Sequence, residues 1–166
     1  GASETIGALS GGSTDKGNVI LNGARLLVGA ADVPAVYRGV ISGSGGSVAK
    51  IGAAVQTFTN VAHSFSGELT VRAGTLSIEA AYSSAEGIIR AAGNSPLGAG
   101  PVVIDGGRLS IRNAFANAAA IVIERNISFG QQGGVLQLAG PCRSGTGLAV
   151  VTPSSDALPA VIRYAH

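Results

Sequence analysis

Little in this chain is suited to bond-making chemistry. Its 166 residues include one cysteine, no methionine, no tryptophan and two histidines, and aromatic residues make up 4%. With Cys142 alone, no disulfide can form within the chain. This does not place it in a reducing compartment, because a long, well-packed repeat array does without the cross-links a small secreted domain needs. His63 and His166 beside one cysteine supply no metal-ligand spacing, so neither metal nor cofactor is expected. Charged residues are 12%, about half the globular norm. The 11 cations and 9 anions are scattered, without a basic run, and few rings are present to stack on bases. No nucleic-acid partner is expected. No apolar run is long enough to span a bilayer, so no transmembrane segment is expected. The chain opens Gly1-Ala2-Ser3-Glu4, with neither an initiator methionine nor a signal-peptide pattern, and reads as a processed product or a fragment.

What is present is glycine, with 26 residues, and a hydrophobic fraction of 46%. Solubility must rest on Ser, Thr, Asn and Gln. One ten-residue unit recurs four times, the last more loosely. The copies are Val19–Val28, Leu69–Ile78, Val102–Ile111 and Ile127–Leu138. Large apolar residues fill the same slots in each: Val19, Leu21, Leu26 and Val28; Leu69, Val71, Leu76 and Ile78; Val102, Ile104, Leu109 and Ile111; Ile127, Phe129, Leu136 and Leu138. The slots between them vary. Such alternation marks strands with one buried face. Each copy turns at its middle, where Gly23, Gly74, Gly106, Gly107, Gly133 and Gly134 supply the bends. Each unit is therefore read as strand, bend, strand.

From Leu69 to Val102 is 33 residues, and Gly67 to Gly100, Gly74 to Gly107 and Ile78 to Ile111 keep that offset. Val19 to Leu69 is 50 residues, read as two intervals of about 25, and Val102 to Ile127 is 25. Periods of this size signal stacked arrays, in which a unit buries its apolar face against equivalent units. A set of β-hairpins remains the alternative, since Asn22-Gly23 and Asp105-Gly106 are two-residue hairpin signals.

Candidate chemistry is thin. Gly43-Ser44-Gly45-Gly46-Ser47 lacks the Gly-Lys-Ser/Thr and following helix of a phosphate loop, and reads as a tight corner before a strand at Val48–Ile51. A glycosidase needs two carboxylates roughly 5–10 Å apart. Among the acidic residues only Glu68 and Asp105 fall where stacking could approach them, and solvated turn charges are the simpler reading. Cys142 follows Pro141 in an expected loop, an incidental thiol. Asn126-Ile127-Ser128 is a sequon whose isoleucine begins a core strand.

The run Gly39-Val40-Ile41-Ser42-Gly43-Ser44-Gly45-Gly46-Ser47-Val48-Ala49-Lys50-Ile51-Gly52, then Thr57 to Asn60, then Phe65-Ser66-Gly67-Glu68-Leu69-Thr70-Val71-Arg72-Ala73-Gly74-Thr75-Leu76, resembles the passenger-associated β-strand repeat of bacterial autotransporters. Ser95 to Leu109 resembles the segment that commonly follows it. Phe65 stands where tyrosine is usual, and Val48 where leucine is. The resemblance covers about two thirds of the chain. It implies an all-β, right-handed parallel β-helix, exported and displayed at the cell surface, and no particular activity. The expectation is one β-helical domain: 1–17 a polar lead-in or cap, 18–138 the repeat core, 139–166 a terminal coil or cap. The expected function is non-enzymatic, as a stalk or adhesin part of a secreted passenger. Its expected partners are neighbouring repeats of the same or an identical chain, and a host-surface or matrix ligand. A self-stacking fibre subunit is the alternative, and a polysaccharide-active enzyme the third.

Overall fold

In the computed structural model the described residues are all except 14–15, 81–86, 91–94, 114–120, 140–141, 145–149, 152–160 and 166. In chain order the strands are β1 (Ser3–Ile6), β2 (Val19–Ile20), β3 (Arg25–Val28), β4 (Ala35–Tyr37), β5 (Ile41–Ser42), β6 (Ser47–Lys50), β7 (Val55–Phe58), β8 (Leu69–Val71) and β9 (Thr75–Ala80). Then come β10 (Gly87–Arg90), β11 (Val102–Ile104), β12 (Arg108–Asn113), β13 (Ile121–Glu124), β14 (Ile127–Phe129), β15 (Val135–Ala139), β16 (Cys142–Ser144), β17 (Val150–Val151) and β18 (Val161–Ala165). No helix occurs among the described residues. The protein is all-β, and its named strands pair in parallel.

Two long sheets carry the fold. One has the order β1-β3-β6-β8-β11-β14-β17, the other β18-β15-β12-β9-β7-β4. A three-stranded sheet β10-β13-β16 and a pair β2-β5 complete the described set. The hairpin alternative is overturned. β8 and β9 flank the bend at Gly74, yet β8 pairs with β6 and β11 while β9 pairs with β7 and β12. The bends are corners between sheets, not hairpin tips.

The register places like slots over one another. One column runs Leu26, Val48, Leu69, Val102, Ile127, Val150. Another runs Leu76, Leu109, Leu136, Ile162. Of the sixteen apolar residues picked from the repeat, fifteen are buried, and Val19 is partly buried against the core. Tyr37, Ile41, Val48, Phe58, Phe65 and Leu97 join them. Burying each such side chain contributes on the order of 1.5–3 kcal/mol.

The first copy is out of phase with the others. Its second half, β3, shares a sheet with the first halves β8, β11 and β14, whereas its first half, β2, pairs with β5. The expected intervals of about 25 before Leu69 are replaced by shorter ones. Leu26 and Val48 are 22 residues apart, and Val48 and Leu69 are 21. The 33-residue step to Val102 contains β10, which starts the three-stranded sheet. The segment 1–17, read as a lead-in or cap, contributes β1 to the first sheet, and Gly11 bridges Tyr37 in parallel. Cys142 lies in a strand paired with β13, not in a loop, because Cys142 continues the column of Ile121. The outer turn expected at 113–120 falls, beyond Asn113, outside the described residues.

Positive φ is present at Gly23, Gly74, Gly106, Gly133 and Gly134, as expected for bends, and at Asn22. Gly107 is different: its φ is not positive, and a Cβ there would lie 2.7 Å from Val71 Cγ1. Close approach, not backbone twist, demands glycine there. The same reason explains Gly67 and Gly100. The Gly67 N–H donates to Gly46 O at 2.8 Å, and a Cβ on Gly100 would lie 1.9 Å from Gly67 O.

Two outcomes follow in urea unfolding. Leu109→Ala loses about 2–5 kcal/mol, while Ser110→Ala, its outward neighbour, stays within about 0.5 kcal/mol. Gly100→Ala loses about 1–3 kcal/mol, because the added methyl meets backbone that cannot step aside.

Candidate functional site

Polar side chains occupy inward slots at a few corners, and each is spent on backbone. Lys50 stands between Val28 and Val71 in a core column. It is 1% exposed, and its Nζ donates to Ile51 O at 2.6 Å, Gly52 O at 2.8 Å and Ala73 O at 3.2 Å. Burial pulls its pKa below the usual lysine value, and the charge of Asp32 opposes this. Asp32 also accepts the Ala53 N–H at 2.5 Å. Gln56 stands between Ala35 and Leu76. Its amide accepts the Leu9 N–H at 3.1 Å and donates to Leu9 O at 2.8 Å, tying the first segment to the second long sheet.

Arg125 clasps the turn that follows Asn94. Its guanidinium donates to Ser95 Oγ at 3.2 Å, to Gly98 O at 2.9 Å and to Gly100 O. Burial lowers its pKa to about 10. Ser95 Oγ donates to Gly98 O at 2.6 Å and accepts the Leu97 N–H, which buries Leu97 beneath the turn. His63 lies beside this turn, fully buried. The Ser95 N–H donates to His63 O, and His63 Nδ1 accepts the Ile41 N–H at 3.0 Å. Its ring packs edge-on to Phe58 at 5.3 Å and tilted to Phe65 at 6.4 Å, and Nε2 has no hydrogen-bond partner among the described residues. Burial lowers the His63 pKa to about 4, so the ring is neutral at pH 7. His63 and Ser95 are therefore not a nucleophile and its base: the hydroxyl and Nδ1 are both committed to backbone.

The two carboxylates singled out from the sequence serve separate local contacts. Glu68 Oε1 accepts from Thr70 Oγ1 at 2.6 Å, and Asp105 Oδ1 accepts the Gln132 N–H at 2.9 Å. No group of three metal-ligating side chains occurs among the described residues. Gly43 and Gly45 have φ of 121° and 68°, and the chain passes from them into β6, the corner expected in place of a phosphate loop.

What the bends do bring together is an open groove of about 570 Å³. Gly74, Gly107 and Gly134, from three successive repeats, line it. Thr75, Arg108 and Val135, the first residues of β9, β12 and β15, line it as well, with Gly106 and Gln132. The turn glycines were legible as turns; that their columns make a trough was not, because it depends on the register between repeats. The buried clasps Lys50, Gln56, His63 and Arg125 were also missed as inward residues. The one signal for them was a polar residue in an apolar slot, as at Lys50 and Gln56.

The pKa of His63 gives a pH test. The folded chain releases the imidazole proton at about 4, below the ordinary 6.5, so between these values the unfolded chain binds more protons. Stability therefore falls as pH drops from 6.5 to about 4, by on the order of 3 kcal/mol, and this contribution is constant below that. In His63→Leu that part of the pH dependence disappears. Urea midpoints at pH 7 and 4.5 for both proteins check it, and parallel behaviour of the two contradicts it. A second test concerns Lys50: Lys50→Met strips the donor from three carbonyls and lowers stability by about 1–3 kcal/mol, read from the same urea curves.

Compared with family models, curated proteins and solved structures, the chain matches none.

Proposed function

We propose that the strands close into one right-handed parallel β-helix, and that it serves as a non-enzymatic stalk or adhesin segment of an autotransporter-like passenger at a bacterial cell surface. The observation that carries this reading is the in-register parallel stacking of each repeat on the next in two sheets of seven and six strands. At about 4.8 Å per rung, the seven-stranded sheet extends about 29 Å along the stacking direction. Such an array is a spacer with long flat faces.

The letters that carry the family resemblance also have structural work that a passenger rod needs. Lys50 ties three corner carbonyls, Gly67 sits against the backbone of Gly46, and Phe65 is buried beside His63. These are scaffold tasks, and they favour a scaffold function over an enzymatic one. The local engagement of Glu68 and Asp105 weighs the same way.

Export is tested in the organism that encodes the chain. Antibody against the chain labels intact cells, and external protease removes the signal. Labelling that requires permeabilised cells overturns the reading.

A further inference from the structure

We infer that the first rung of the stack, made by β1, Gly11 and β2, is a stop: a second copy of the chain cannot stack on this end, and Glu4 is the residue that chiefly prevents it. The ladder makes such stacking the default. β1 is the first strand of the seven-stranded sheet, and among the described residues it pairs with β3 alone. Ala2 O accepts the Arg25 N–H at 2.8 Å, and Ile6 O accepts the Gly29 N–H at 3.2 Å. Alternate residues of a parallel strand face opposite neighbours, so Ser3 and Thr5 turn their backbone groups to the open side. Such a row is a template for another chain.

The side chains of β1 counter that template. The register of β1 on β3 places Glu4 over Leu26. The slot continues as Val48, Leu69, Val102, Ile127 and Val150, so each later rung has an aliphatic residue where the first has a carboxylate. Glu4 is exposed, and Ile6, in the next inward slot, is partly buried against the core. A second copy stacked head to tail would lay β17, the last strand of the same sheet, along β1. In the register of the ladder, Val150 of that copy would then stand over Glu4. The carboxylate would lie between two aliphatic positions, out of water and without a cation, a heavy penalty on association. An inward-pointing charge is one of the devices that keep a sheet edge from pairing, and the terminal repeats of stacked arrays need a polar end to stay soluble.

The other sides of this end are closed by different means. At the second long sheet, the outer edge of β4 is taken by Gly11, whose N–H donates to Val36 O at 3.0 Å and whose carbonyl accepts the Arg38 N–H at 2.8 Å. Gly11 and Gly12 have φ of 84° and 76°, so the chain there is not extended and offers β18 of a second copy no strand to pair with. Gln56 holds Leu9 in place from behind by both its N–H and its carbonyl. On the third side, β2 is two residues long and runs into the bend at Asn22 and Gly23, with φ of 43° and 81°. β1, four residues long, is the one extended edge left, and the charge stands on it.

The inference rests on strand pairing and does not depend on where the protein is located. A self-stacking fibre requires this end to accept a strand, so the test is the mass of the particle in solution. Gel filtration with light scattering is run on the 166-residue chain at pH 7 over a wide range of concentration. The unaltered chain is expected to stay a monomer. Glu4→Val restores the aliphatic slot, and its apparent mass is expected to rise at least twofold, increasing with concentration, with circular dichroism unchanged. Thr5→Val adds the same side chain one residue along, in the outward slot over Leu27, and is expected to remain a monomer. Val150→Glu, added to Glu4→Val, returns a charge to the other end of the slot and is expected to reverse the association. Self-association of the unaltered chain, a monomeric Glu4→Val, equal association in Thr5→Val, or association that persists in the double variant overturns the proposal.

Discussion

When a strand pairs in parallel with its counterpart in the next repeat, each residue lies over a residue of the same slot. That in-register ladder is the constraint on which the other features of this protein depend. It turns an apolar position into a column, so that Leu69, Val102 and Ile127 pack as one stack rather than as separate contacts. It also sets the distance between backbones at the corners to about one rung. Side chains are excluded where carbonyls of one repeat meet the next, as at Gly67 and Gly100.

The same ladder creates a polar problem. At a corner the backbone leaves one sheet before joining the next, and some carbonyls lose their ladder partner. A buried carbonyl without a donor costs more than a hydrogen bond contributes. Lys50 and Arg125 answer this with multiply donating cations set on neighbouring backbone, and burial lowers the pKa of each as a consequence. His63 answers it for the Ile41 N–H with an acceptor nitrogen, and burial keeps the ring neutral and makes the corner sensitive to acid. Among the described residues, the buried cations Lys50 and Arg125 thus hold the scaffold together.

The strand positions and most of the core were legible because alternation is a local signal. Ile104 and Leu109 announce themselves within one ten-residue unit. The phase of the first copy was not legible. Val19–Val28 has the letters of the later copies, yet β3 stacks through β6 on β8, because the shorter repeats before Leu69 shift it by one face. Only pairing partners reveal such a shift. Gly107 lies in the bend as expected, but the reason it must be glycine was not legible: a bend and a close approach demand the same residue, and the second depends on a neighbour in another repeat. The groove was invisible in the sequence, since Gly74, Gly107 and Gln132 meet only through stacking.

The pairing itself is testable by cross-linking in a Cys142→Ser background. Ser77 and Ser110 are register partners on β9 and β12, whereas Thr70 and Ser77 flank one bend but lie in different sheets. Neighbouring strands bring paired Cα atoms within the span of a disulfide, roughly 4.4–6.8 Å. Oxidation of a Ser77→Cys, Ser110→Cys protein should therefore give a rapid intramolecular disulfide with native stability, and a Thr70→Cys, Ser77→Cys protein should remain reduced. The reverse result, bonding across the bend and none between repeats, would contradict the stacked parallel ladder.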